Sequence, residues 1–468
     1  MPEGIEAELD GIVLGDARLN RRSKKVLKAL ASNVEASING ACDGWADTLA
    51  AYRFFDNTAV TPEKILEPHR AATERRMRAH PVVLVVQDTT ELDFTSHPPR
   101  DAACLDKSYR FGLYDHVHLA ITPDRLCLGV VGDEQFDRAP ESLGKTDERS
   151  TLPIEEKESF RWLTGYRLAS ELAANCPDTQ VVSVGDREAD LYDIFVEAQS
   201  QTAPRAEFLI RARVSRCLPE RDPAAGEAAY CKVRDAVRSA PLRETRTLEL
   251  NQTPKREARI ATVEIRALTV TIKPPHARRR LPAVSMQVVL AEEVGGPGDG
   301  TDVSWLLLTS LPIAASDDLR RVLDYYVARW TIETFFRVFK TGCRVEEIQL
   351  ETTARLKNCL AFYKIIAARV LYLTYLNRTA PDLPASAVFA PEEWKSVWRV
   401  VKKKPLPKRP PRLAEFMKLL TQLGGYNNRA TEAPPGPQPI WIGLRRMLDF
   451  AQAWLVFGPS EPARVVYK

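Results

Sequence analysis

The sequence predicts an α/β protein, a sheet with acidic residues at its strand ends, preceded and followed by helical segments. Three observations carry that prediction. Residues 1–80 have helical periodicity, the chain then changes to short β-branched runs, and residues 379–468 return largely to helix. The runs VVLVV (82–86) and VVSVG (181–185) are continuous and apolar, as in strands buried on both faces, and they lead into Asp88 and Asp186. At 468 residues the chain exceeds one ordinary domain. The divisions fall at 1–80, 81–378 and 379–468.

In order, LGDARLNRRSKKVLKALASN (14–33) and ADTLAAYRFF (46–55) read as helices, and Thr61-Pro62-Glu63 caps a third to about 79. Arg18, Arg21, Arg22, Lys24, Lys25 and Lys28 crowd the first helix. They form either a solvated face or a surface that tracks phosphates. After the first strand, HVHLAIT (116–122) and LCLGVVG (126–132) make an antiparallel hairpin around a Pro-Asp turn, with its histidines packed or exposed rather than metal-bound. A helix over 155–175, the second Asp-bearing strand and a helix over 189–199 come next. Residues 205–312 are strand after strand, a β-rich insertion. Helix returns over 353–377. WRVVKKKPLPKRPPR (398–412) reads as an extended basic connection. In the last helix Ile440, Leu444, Met447, Leu448, Ala451 and Leu455 form an apolar stripe that could dock on its own domain or on a second subunit.

Composition excludes several classes. Lys and Arg exceed Asp and Glu only by 66 to 62, so a nucleic-acid surface must come from local clusters. No run of 18 apolar residues or signal peptide stands out, which predicts a cytoplasmic protein without a membrane partner. The 8 cysteines show no CxxC and no grouping with histidine, against a zinc site or disulfide scaffold.

The chemistry starts from YYVARWTIETFFRVFK (325–340), read as one helix. At 100° per residue Tyr326, Arg329, Glu333, Arg337 and Lys340 fall within roughly 80° of arc, a charged stripe on an otherwise apolar cylinder. Such a stripe is either a weak i,i+4 pair on a surface or the wall of a cleft. Asp88 and Asp186 could each simply begin a turn. Parallel strands, however, bring their carboxyl ends to one edge of a sheet. Three acids meeting there need a cation, and oxygen ligands alone suit Mg²⁺ or Mn²⁺. Two such ions roughly 4 Å apart can activate a water or a 3′-OH in phosphodiester cleavage.

These residues resemble the DDE cut-and-paste transposases of bacterial insertion sequences, family four, Tn-five type. The motifs are QDTT (87–90), GDREADLYDIF (185–195) and Tyr326-x2-Arg329-x3-Glu333-x6-Lys340, supported by LGDARLNRR, AYRFF, EKES (156–159) and WLLLTS. The resemblance implies a ribonuclease-H-like catalytic core interrupted by the β-rich insertion, with Asp88, Asp186 and Glu333 holding two Mg²⁺ ions. It implies a helical N-terminal domain that reads double-stranded transposon ends and a helical C-terminal domain that pairs two subunits. Nicking, hairpin formation and opening, and strand transfer into target DNA would be its steps. Tyr326, Arg329 and Lys340 would grip phosphates, and Trp305 would fill the space of a flipped base unless it is a core residue. Arg211 and Arg53 match basic positions of the family. A nuclease or resolvase with the same core, or a DNA-binding derivative without catalysis, are the alternatives.

Overall fold

The computed structural model describes residues 4–137, 153–200, 204–221, 230–250, 257–429 and 434–459. Asp16 starts the first long helix by accepting the Arg18 N–H. The N-terminal helices are α1 (Ala17–Ser32), α2 (Ile38–Ala41), α3 (Trp45–Phe55) and α4 (Pro62–Met77). Then come β1 (Val82–Asp93), β2 (Ala103–Cys104), β3 (Phe111–Ile121), β4 (Cys127–Phe136), α5 (Phe160–Asn175), β5 (Gln180–Gly185), α6 (Tyr192–Ser200) and β6 (Glu207–Arg211). The insertion supplies β7 (Cys217–Arg221), β8 (Tyr230–Lys232), α7 (Val233–Arg238), β9 (Glu244–Leu250), β10 (Arg259–Ile272), β11 (Val284–Glu293) and β12 (Ser304–Thr309). Last are α8 (Ser316–Ala328), α9 (Thr331–Arg337), α10 (Thr353–Thr379), α11 (Pro391–Lys402), α12 (Leu413–Leu423) and α13 (Pro437–Phe457).

One ten-stranded sheet runs β2-β3-β1-β5-β6-β12-β11-β10-β9, with β4 also on β3. Pairing is antiparallel between β1 and β3 and between β3 and β4, and parallel from β1 to β5 to β6. Val83 to Val86 are fully buried, as a strand covered on both faces must be. The insertion does not stand apart from the sheet. Its β12 pairs antiparallel with β6, Leu307 opposite Arg211, so β9 to β12 extend the same surface, while β7 and β8 pair as a separate two-stranded sheet.

Four expectations change. The stretch 325–340 is not one helix: α8 ends at Ala328, Arg329 and Trp330 form a turn, and a π turn over Val338–Gly342 comes after α9. The basic stretch 398–412 is helical through Lys402, and Trp398 then closes the next loop by donating to the Pro405 carbonyl. In the last helix Ile440, Met447 and Ala451 are buried, whereas Leu455 is 70% exposed at the free end of α13. Finally, α10 is long and apolar enough to cross a bilayer, yet 89% of its most apolar window is buried inside the protein.

Two buried ionic networks fasten the terminal segments to the sheet. Glu8 accepts from Arg76 at 3.0 Å and from His69 Nδ1, while His69 Nε2 accepts the Val130 N–H at 3.0 Å, which fixes the imidazole tautomer. Burial alone would raise the Glu8 carboxyl, but His69 and Arg76 outweigh it and hold it at about 2. Lys364 of α10, fully buried, donates to Asp115 of β3 at 2.9 Å and Asp133 of β4 at 2.6 Å; Arg70 of α4 reaches Asp133 at 2.7 Å. Asn358 adds hydrogen bonds from α10 to the carbonyls of Phe55 and Val60.

Candidate active site

β1 and β5 are parallel neighbours, with Val86 opposite Val184, so Asp88 and Asp186 leave the sheet at the same edge. β1 does not end at Asp88 as the sequence suggested; it continues to Asp93 because β3 pairs with it throughout. The Thr89 N–H donates to Asp88 Oδ1 at 2.8 Å. Asp186 caps a short 3₁₀ turn, accepting the Glu188 N–H at 2.7 Å. Gly185 is required there, since a Cβ would lie 2.4 Å from that of Ala189.

The third acid arrives on α9. Arg329, in the turn before it, donates to Asp88 Oδ2 at 3.0 Å and to Glu333 Oε1 at 3.1 Å. Its side chain is only 7% exposed and lies over the rings of Trp330 and Tyr326. Burial opposes the Arg329 charge, but Tyr326, Asp88, Glu333 and Asp186 together raise its pKa. Asp88 feels the converse. Burial pushes its carboxyl up to about 6, Arg329 opposes, Asp186 adds to the rise, Thr89 opposes, and Glu333 adds again. The three acids thus share one electrostatic site around one guanidinium. Among the described residues, no three His, Cys, Asp or Glu side chains are drawn to metal-ligand spacing.

The remaining members of the stripe divide. Tyr326 is fully buried, with Arg211 beside its hydroxyl but no formed hydrogen bond, so it does not face a cleft. Trp305, 6% exposed, packs 5.3 Å from Tyr326 and 5.6 Å from Trp330, the geometry of a core residue. Arg211 donates to the Ser304 carbonyl at 3.2 Å. Lys340 donates to the Glu91 carbonyl at 2.8 Å and pairs with Glu346 at 3.0 Å. Arg337 is exposed.

The basic face of α1 is largely compensated. Arg18 pairs with Asp16, Arg22 and Lys25 with Asp47, Lys24 with Asp10, and Lys28 with Glu6. Arg21 and, on α3, Arg53 are exposed. The 8 cysteines form no disulfide, and His116 and His118 are buried.

Residues 2–60 match the family described as Transposase DNA-binding, and residues 365–456 match the Transposase Tn5 dimerisation domain. In these two segments the chain is similar to Tn5-type transposases. The two matched segments leave residues 61–364, with all three acids, outside them. A solved structure of similar outline is the cryo-EM structure of a piggyBac transposase synaptic complex with hairpin DNA. It is 11% identical, covers 95% of this chain and 77% of that chain, and has a TM-score of 0.35, a likeness too slight to support an argument.

Proposed function

We propose that this chain is a bacterial insertion-sequence DDE transposase of family four, acting in the cytoplasm as a homodimer on double-stranded DNA ends. Asp88, Asp186 and Glu333 are its catalytic acids. One observation carries the reading: Asp88 and Asp186 leave one sheet edge on adjacent parallel strands, and Arg329 joins Asp88 to Glu333 from far along the chain. The strand order β4-β3-β1-β5-β6, three antiparallel and then two parallel, supports a ribonuclease-H-like core over 81–378.

A carboxylate-only donor set, with Asp88 already burdened by two acidic neighbours, fits a hard divalent cation in its chemistry. Asp88, Asp186 and Glu333 would hold Mg²⁺ or Mn²⁺, two ions per site, which would supply Lewis-acid activation of a water or 3′-OH. The protein's own groups do the rest. Thr89 and Glu188 backbone N–H groups fix the two aspartates, and Arg329 balances charge between Asp88 and Glu333. Lys340, Arg211, Arg53 and the exposed Arg21 bind phosphates and set register without reading bases. Hydrolysis nicks the end, and the freed 3′-OH then exchanges one P–O bond for another to form the hairpin and, after its opening, to join target DNA.

The test incubates wild type and Glu333→Gln with Mg²⁺ and linear DNA carrying the sequences that flank this gene, on denaturing and native gels. Release of hairpin or blunt fragments by wild type alone, with binding retained in both, is expected. Nicking without paired release points instead to a nuclease, and binding without cutting to a catalytically lost derivative.

A further inference from the structure

Arg161 lies in the first turn of α5, only 8% exposed, and spends its guanidinium on three acceptors. Nε donates to Thr89 Oγ1 at 3.1 Å, Nη2 to Glu188 Oε2 at 2.9 Å and Nη1 to the Glu158 carbonyl, within the EKES segment, at 2.6 Å. Its Cζ lies 5.2 Å from the centre of the Phe136 ring. The two side chains it holds belong to the two residues whose backbone N–H groups fix the aspartates, Thr89 for Asp88 and Glu188 for Asp186. One cation therefore grips both acid-bearing segments at their nearest anchor points.

A directional chain of hydrogen bonds backs the grip. Thr89 Oγ1 accepts from Arg161, so its O–H is available to donate to His116 Nδ1 at 2.8 Å. His116 Nε2–H then donates to Gln87 Oε1 at 3.2 Å, and Gln87 Nε2 to Ser183 Oγ of β5 at 3.0 Å. Burial, with His118 and Arg161 adding to it, keeps His116 neutral, as this order requires. Gly165, one turn beyond Arg161, lets α5 come this close, for a Cβ there would stand 2.2 Å from Gln87 Oε1.

We infer that Arg161 is a positioning residue that fixes the separation and orientation of Asp88 and Asp186. This rests on the three-acid reading above. Lysine cannot replace it, because a single ammonium does not reproduce a planar fork to three acceptors. Groups that orient ligands from behind typically contribute 10–100-fold to metal affinity.

The experiment measures Mn²⁺ binding to the full chain, with and without end-bearing duplex, by the paramagnetic resonance of unbound Mn²⁺. It compares wild type, Arg161→Lys, Thr89→Val and Asp88→Asn, with thermal unfolding and duplex binding recorded beside it. Arg161→Lys and Thr89→Val keep the net charge, so a change reflects geometry. Each is expected to weaken Mn²⁺ binding about 10-fold or more while duplex binding stays at the wild-type level. Wild-type Mn²⁺ affinity in Arg161→Lys, with affinity lost in Asp88→Asn, overturns the positioning role alone. Unchanged affinity in Asp88→Asn, or no Mn²⁺ binding by wild type in either condition, overturns the three-acid reading and the inference with it. If Arg161→Lys does not fold, Thr89→Val decides by the same comparison.

Discussion

Replacing Glu8 by Gln should loosen the N-terminal segment from the core, and the size of the loss is set by its ion network. Glu8 is 4% exposed and held by His69 and Arg76. A carboxyl that moves from 4.5 in the unfolded chain to about 2 when folded contributes about 3 kcal/mol at neutral pH. Because the folded value is the lower one, that stability is fully present above pH 4.5 and is lost as pH falls towards 2. Glutamine keeps the shape and removes the charge. Denaturant unfolding at pH 7 should show Glu8→Gln less stable by about 3 kcal/mol, and amide exchange should accelerate first in α4 and β4, where His69, Arg76 and Val130 lie. The gap should narrow steadily between pH 4.5 and 2. A variant as stable as wild type at pH 7, or a gap that persists undiminished at the acid end, would refute the reasoning.

Asp88→Asn should give a more stable protein without catalysis. Its carboxyl, raised from 3.8 to about 6, loses up to about 3 kcal/mol for the fold as pH rises through that interval. The gain should therefore be visible at pH 7 and absent below pH 3.8; equal melting at both would contradict it. Lys364→Met leaves Asp115 buried without a cation, while Asp133 keeps Arg70, and should cost about 3–5 kcal/mol, measured by chemical denaturation, with partial recovery when Asp115→Asn is added. Trp305→Ala empties the space between Tyr326 and Trp330 and should cost about 3–5 kcal/mol. A wild-type unfolding midpoint would mean the ring is not packed as described.

Sequence reading succeeded where the physics is local and failed where partners are distant. VVLVV and VVSVG announce buried strands by composition, which put Asp88 and Asp186 at one edge. Glu333 was visible because its stripe interrupts an apolar pattern. The turn at Arg329–Trp330 was invisible, since neither glycine nor proline marks it and Arg329 is engaged by Asp88, 241 residues away. The ion pairs that compensate the basic run on α1 were not legible, because Asp10 and Asp47 lie outside the helix. Arg161 offered no signal, its Thr89 acceptor being 72 residues away. The continuity of the insertion with the sheet depends on β12 meeting β6, a non-local pairing that no pattern within either strand encodes.

α10 belongs to two parts of the protein at once. Lys364 and Asn358, in its first half, bond to the sheet and to the N-terminal segment, while the match to the dimerisation family begins at Ile365. No loop separates them, so a dimerisation module cannot be exchanged at this junction without cutting a helix roughly 40 Å long. A fragment carrying the helix without the surfaces that cover it would offer a secretion machinery a plausible transmembrane segment. Dissecting this protein into halves therefore risks changing the compartment in which the half that carries α10 is found.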